Sequence, residues 1–354
     1  MIIHQWVPAA HRGDAVGDNA LVMRGILRGW GHDSELFALS IDESLTGDVL
    51  PWVDTEARRA DITIFHYAIP SPMTQAFGTL PGARVLHYHN VTPAHFFAPF
   101  DAGLCRLASL GRQEVETLVD RTDLALGVSE YNRRELDDMG FPRTDVLPIV
   151  VDTDRLRNAK PVPALEVLLK DGLANILFVG RIAPNKKIED HIRLAEHFKR
   201  YVDTQYRFIF VGNDQAVPRY TAAIQALIAE YKMLPDRFWF TGPVPVDELA
   251  AYYRHAHAYV SLSEHEGFCV PLVEAMAMDV PVLAYGAAAV PETLGGAGVC
   301  FTPKDLEVAA EWLGALVYDQ PLREQILEGQ RQRVTAFGHD RLEPRLQSLL
   351  SELM

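Results

Sequence analysis

Glu266 and Glu274 are the residues of this chain best placed to do chemistry. They lie in the stretch Ser261-Leu-Ser-Glu-His-Glu-Gly-Phe-Cys-Val-Pro-Leu-Val-Glu274. The apolar run Ala258 to Leu262 reads as a strand, a short polar loop carries Glu266, and Pro271 opens a helix that carries Glu274. Proline suits the first helical turn, where a missing N–H costs nothing. The N–H groups of Gly267, Phe268, Cys269 and Val270 are then expected as the unpaired donors of that helix end, a seat for an anion. Two carboxylates flanking such a seat repel further negative charge but accept hydrogen bonds from neutral hydroxyls. Phosphate at the helix end with sugar hydroxyls at the glutamates is the ligand this pattern implies.

A second segment supplies cations. Ile176-Leu-Phe-Val-Gly180 reads as a buried parallel strand, followed by Arg181-Ile-Ala-Pro-Asn-Lys186-Lys187 and a helix from Ile188. Arg181 and Lys186 thus leave the carboxyl end of a strand, where open α/β sheets bind ligands. A guanidinium grips phosphate oxygens as a fork and an ammonium adds a point charge. Either residue by itself reads as an ordinary solvated loop cation; with the two-glutamate segment downstream, the pair reads as a diphosphate clamp.

Gly180-Arg181 with Lys186, then Glu266-Gly-Phe-Cys-Val-Pro-Leu-Val-Glu274-Ala, resembles the retaining GT-B glycosyltransferases of family four, of the bacterial polysaccharide type. The similarity is strong from Ile176 to Phe301 and weaker before Val150. It implies two Rossmann-like α/β domains with parallel sheets facing a central cleft. It also implies transfer of a hexose from a UDP- or GDP-sugar to a hydroxyl, with no cofactor and no metal. The acceptor would be a glycan, a lipid-linked sugar or a small molecule. Arg181 and Lys186 would neutralise the departing diphosphate, Glu274 would hold ribose hydroxyls, and Glu266 would hold hydroxyls of the transferred sugar. A shared fold keeps a nucleotide-sugar epimerase or a sugar phosphorylase as alternatives, and a non-catalytic sugar-binding protein as a more distant one. Lys187 and Cys269 stand where the family often has glycine, and a positive φ at Cys269 would strain its backbone.

His87-Tyr-His89-Asn90-Val-Thr-Pro93 ends another strand-like run. The resemblance implies that His89 approaches the donor sugar from the acceptor side, with Asn90 a candidate for a sugar hydroxyl; a loop histidine bonded to main-chain carbonyls is the plainer reading. His87 is expected on the opposite strand face, in a structural role. Gly13-Asp-Ala-Val-Gly17-Asp18-Asn19 follows the first strand. Glycine there lets a backbone approach a ligand and Asp18 is expected to cap the next helix; Gly17 is the candidate contact, with an ordinary turn an equal explanation. Gly212-Asn213 ends a strand; the resemblance implies that it frames the nucleotide base through its backbone, and ordinary turn chemistry explains it equally well. Asp152-Thr-Asp154 matches a metal-binding Asp-x-Asp pattern but reads as a turn in which aspartate bonds its own backbone; no metal ligand is assigned.

Strand-like and helical runs alternate along the chain, the pattern of parallel sheets covered on both faces. Two such series restart around Pro161 and Pro163. The expected division is an acceptor-side domain at residues 1–160 and a nucleotide-sugar domain at 161–337. The resemblance implies a last helix, about 338–354, that packs back on the first domain.

A length of 354 residues fits two domains. A hydrophobic content of 48% marks a folded chain, and a net charge of −14 argues against a broad nucleic-acid surface. Cys105, Cys269 and Cys300 lack metal-type spacing and read as reduced thiols of a cytoplasmic protein. No apolar run is long enough for a transmembrane segment, which leaves peripheral contact with the inner membrane face as the one membrane association expected.

Overall fold

The computed structural model describes residues 1–11, 13–53 and 55–353. The chain forms two compact units, one built from residues 1–98 and 102–150 with the C-terminal helix, the other from 99–101 and 151–336.

The first unit holds a seven-stranded sheet in the order β3-β2-β1-β4-β5-β6-β7. Its strands are β1 (Ile3–Ala10), β2 (Leu36–Ile41), β3 (Leu50–Pro51), β4 (Ile62–Tyr67), β5 (Ala83–Tyr88), β6 (Leu124–Gly127) and β7 (Thr144–Val146). Every pairing is parallel. Side chains alternate between faces as the pleat requires. Phe65, Tyr67, Leu86 and Tyr88 enter one core with Trp6 and Phe77. Ile62, Ile64 and Val85 enter the other with Ile3 and Met23. Leu342, Leu346, Leu349 and Leu350 of the helix His339–Ser351 complete that second core, so the last helix packs in this unit. The spacing of those leucines gives one apolar face at helical period.

The second unit holds six parallel strands in the order β10-β9-β8-β11-β12-β13. They are β8 (Ala174–Val179), β9 (Tyr206–Val211), β10 (Phe238–Gly242), β11 (Ala258–Ser261), β12 (Val282–Tyr285) and β13 (Val299–Phe301). The sequences ILFV and FIFV within β8 and β9 are apolar without alternation because helices cover both faces. Strand order reverses between β8 and β11, and such a reversal opens a crevice at the strands' carboxyl ends. The loops leaving those two strands carry Arg181, Lys186 and Glu266. No helix among the described residues is long and apolar enough to cross a membrane.

Candidate functional site

The loop after β8 begins at Gly180 (φ 151) and continues through the exposed Arg181 to a single helical turn at Pro184–Lys186. The loop after β11 leads to the helix Val270–Ala277, with Pro271 in its first turn. Asn185 ties the two loops together: its carbonyl accepts from the Glu264 N–H at 2.9 Å and its side-chain amide donates to the His265 carbonyl at 3.1 Å. That double bridge brings Lys186 Nζ to 2.5 Å from Glu266 Oε1, with both side chains largely buried.

Glu274 is buried and held at both oxygens. Arg155 donates to Oε1 at 2.6 Å and the Tyr253 hydroxyl donates to Oε2 at 3.0 Å. Burial, with the Glu274 charge beside it, pushes the Tyr253 phenol well above its ordinary value and keeps it a hydrogen donor. Two acceptor positions remain on a doubly bonded carboxylate, so Glu274 can still receive a hydroxyl. Neither Arg155, Tyr253 nor Asn185 is singled out by the sequence pattern. Arg155 carries one retrospective signal, its place directly after the Asp152-Thr-Asp154 turn. There Asp152 Oδ1 accepts from the N–H groups of Asp154 (3.1 Å) and Arg155 (3.2 Å), a turn that aims Arg155 at Glu274.

Residues 267–270 stand at the amino end of the helix that carries Glu274, as expected, but Cys269 adopts a left-handed backbone, as does Lys187 in the other loop. Cys269 has φ 73 and ψ 67, and Lys187 has φ 53 and ψ 51. Lys187 and Cys269 therefore both occupy left-handed backbone, which costs a side-chain-bearing residue roughly 1–2 kcal/mol. Burial and the neighbouring Glu266 push the Cys269 thiol well above its ordinary value, so it is neutral and unreactive.

Gly212 follows β9 with φ 138 and presses against Gly180; a Cβ on it would stand 2.2 Å from the Gly180 carbonyl oxygen. Asn213 accepts from Ile182 N–H through its carbonyl at 2.9 Å and closes its own turn by accepting from Gln215 N–H at 2.8 Å. Gly180, Arg181, Lys186, Gly212, Asn213, Glu266, residues 267–270 and Glu274 all belong to the second unit.

The first unit corrects two expectations. Gly17 is not in a loop: the helix runs from Ala15 to Gly29, Asp14 rather than Asp18 caps it, and the Gly17 N–H is the group that Asp14 accepts from. With its N–H so used, Gly17 has no donor left for a ligand. His87 is not on the opposite face from His89. Two residues apart on an extended chain share a face, and the two rings lie 4.4 Å apart between centroids. His66 of β4, paired in register with His87, joins them. His89 Nε2 meets His66 Nδ1 at 3.0 Å and its Nδ1 is enclosed. With both ring nitrogens turned inward, any polar contact from His89 to a ligand falls to its main chain. Asn90 follows with φ 79.

Residues 166–333 match the family model described as glycosyl transferases group 1. The chain is 25% identical over 212 residues to O-antigen chain mannosyltransferase B of Escherichia coli, a match covering 58% of this chain and 54% of that protein. It is 28% identical over 237 residues to a GDP-mannose-dependent alpha-mannosyltransferase of Mycobacterium tuberculosis, covering 64% and 56%. The chain thus spans about half the length of these curated relatives. Among solved structures it is similar to HepE of Anabaena in complex with UDP-glucose, with a TM-score of 0.79 and 16% identity over 99% of this chain and 100% of that one. That likeness is one of fold: two Rossmann-like α/β units with parallel sheets, the GT-B type.

Proposed function

We propose that this protein is a retaining glycosyltransferase of family four that moves a hexose from a nucleoside diphosphate sugar to a hydroxyl acceptor without a catalytic metal. One observation carries the reading. At the strand-order reversal of the second unit, the loops leaving β8 and β11 carry the exposed cation Arg181 and the Lys186–Glu266 pair, and the helix that follows β11 carries the buried carboxylate of Glu274. Among the described residues Arg181 has no ion-pair partner, which leaves its guanidinium for phosphate.

The chemistry follows from charge. As the bond from the anomeric carbon to the diphosphate breaks, negative charge grows on the phosphate oxygens. Arg181 and Lys186 neutralise it most strongly at that moment, which lowers the barrier rather than merely binding substrate. An ammonium has three donors, so Lys186 can serve phosphate while keeping Glu266. Glu266 holds hydroxyls of the transferred sugar beside the anomeric carbon, and Glu274, fixed by Arg155 and Tyr253, receives the ribose hydroxyls. The acceptor hydroxyl attacks on the face that the diphosphate leaves, and the departing phosphate takes its proton. A carboxylate nucleophile is the other retaining route; the Glu266 carboxylate, already committed to Lys186, is less suited to it. His89 and Asn90, in the first unit, are the candidates for contact with the acceptor, His89 through its main chain. The acceptor would be a glycan or a lipid-linked sugar. The relatives' names point to mannose and glucose donors, on GDP and UDP.

The test is a thermal-shift panel of nucleotides and nucleotide sugars, since a ligand that binds only the folded state raises its stability. A UDP- or GDP-hexose should raise the midpoint, and adding magnesium or manganese should not enlarge the shift. Incubation with the stabilising donor alone should leave the sugar unepimerised. Product anomers read by proton NMR should keep the donor's configuration; inversion would overturn the mechanism.

A further inference from the structure

His66 and His87 of the first unit are each held in one tautomer by their neighbours. Gln5 of β1 donates its amide N–H to the Ala20 carbonyl at 3.1 Å, so its amide oxygen is the atom facing His66 Nε2 at 2.9 Å. His66 Nε2 must therefore carry the hydrogen. Its Nδ1 is then the lone pair of the ring, facing His89 Nε2 at 3.0 Å. His87 is fixed the same way: Nε2 faces the Leu147 carbonyl at 2.9 Å and must donate, so its Nδ1 is bare as well. That His87 Nδ1 is enclosed and has no hydrogen-bond partner, on a side chain with no exposed surface.

Bare imidazole nitrogens whose opposite N–H is anchored to an amide or carbonyl oxygen are how proteins prepare histidine for metal binding. The strand geometry suits it too. His87 and His89 share one face of β5, and His66 is the register partner of His87 on β4. One nitrogen from each ring lies within 4.8 Å of the others. His66 Nδ1 and His89 Nε2 are 3.0 Å apart, close to the edge of about 3.3 Å that a tetrahedron with zinc–nitrogen bonds near 2.0–2.1 Å requires.

We propose that His66 Nδ1, His87 Nδ1 and His89 Nε2 form a three-nitrogen site for a borderline divalent metal ion, zinc by its donor set. The ion takes the lone pair of a neutral ring at each position. In His89 the ring hydrogen moves from Nε2 to Nδ1, so no proton is released from the trio. A water fills the fourth position. Gln5 and the Leu147 carbonyl are the outer partners that orient the ligands. The ion ties the carboxyl ends of β4 and β5 together and fixes the main chain at His89. This inference does not depend on the transferase reading.

The test uses the full chain, purified without a histidine tag, stripped with chelator and dialysed. Cobalt(II) titrated into it should give visible d–d bands of tetrahedral intensity that saturate at one ion per chain and are displaced by zinc. Zinc alone should raise the melting temperature. His66→Asn and His87→Asn should each weaken binding at least a hundredfold, and Gln5→Leu, which removes only an outer partner, ten- to a hundredfold. Absence of tetrahedral bands from the unsubstituted protein overturns the site whether or not the variants fold. So does a titration that Asn at position 66 or 87 leaves unchanged in a folded protein.

Discussion

Lys186 and Glu266, eighty positions apart in the chain, meet at 2.5 Å because Asn185 and its two hydrogen bonds pin one loop to the other. The pair sets a question that substitution can answer: whether the ammonium exists to neutralise Glu266 or to stabilise a leaving group. Lys186→Ala should lower turnover tenfold or more, about 1.4 kcal/mol for each decade. The double change Lys186→Met with Glu266→Gln removes both charges and so relieves the buried carboxylate. If leaving-group stabilisation is the role, turnover in the double variant stays at least as low as in Lys186→Ala. Recovery of turnover would assign Lys186 to charge balance alone. Measuring the single variants Lys186→Met and Glu266→Gln beside the double completes the cycle, gives the coupling between the two sites and separates the loss due to Glu266 itself.

Arg155 should matter as much as the glutamate it holds. Removing it leaves Glu274, whose side chain is 4% exposed, with only the Tyr253 hydroxyl. Breaking a fully buried pair costs about 3–5 kcal/mol, but Arg155 is 32% exposed, so water screens part of the loss. Arg155→Ala is expected to lower stability by about 1–2 kcal/mol on that discount. It should also weaken nucleotide binding about tenfold by releasing the Glu274 carboxylate from its fixed orientation. Calorimetric titration with the nucleotide that the thermal panel selects would check it. Unchanged affinity would remove Glu274 from the nucleotide site.

These partners mark where sequence reading stops. The strands were legible as short apolar runs, and the helix at Val270 was legible from its proline. The meeting of the two loops followed from their places after strands. Asn185 and Arg155 were not legible, because each acts through a tertiary contact that no local periodicity encodes. Gly17 was misplaced because Asp14 and Asp18 are equally good caps on paper; only the packed helix shows which one starts it. His87 was misplaced by a simple slip in strand alternation, which the shared face with His89 corrects. Positive φ at Cys269 was foreseeable from the glycine it replaces. That Lys187 shares the same conformation was the less obvious half.

Gly212 offers a test of how tightly the nucleotide side is packed. Gly212→Ala would drive a methyl to 2.2 Å from the Gly180 carbonyl oxygen, backbone against backbone, at φ 138. Gly242→Ala has φ 70 but meets nothing within 4 Å, so it reports the conformational cost alone. The second change should cost about 1–2 kcal/mol. The first should cost more, and because it moves the Gly180-Arg181 loop it should also weaken binding of a nucleoside diphosphate. Denaturant melts and nucleotide titrations of both variants provide the comparison. Equal losses in the two would mean that the Gly180–Gly212 contact yields easily.

His191 predicts how stability changes with acidity. Its ring is buried between Phe178 and Phe210, with Nδ1 facing the Lys187 carbonyl at 3.1 Å and Nε2 facing the Val260 carbonyl at 3.3 Å. Burial outweighs those two acceptors and lowers its pKa from 6.5 to about 4. The folded state therefore refuses a proton that the unfolded chain accepts. The stabilisation is full above about pH 6.5 and is lost as pH falls from there toward 4, because the unfolded form gains the proton first. Linkage gives a loss of about 2 kcal/mol by pH 5. Urea melts of the protein and of His191→Gln at pH 7.5 and pH 5 isolate this group, since every other titrating residue is common to both. The unsubstituted protein should lose about 2 kcal/mol more than the variant over that interval; equal losses would show that the folded protein lets His191 protonate freely.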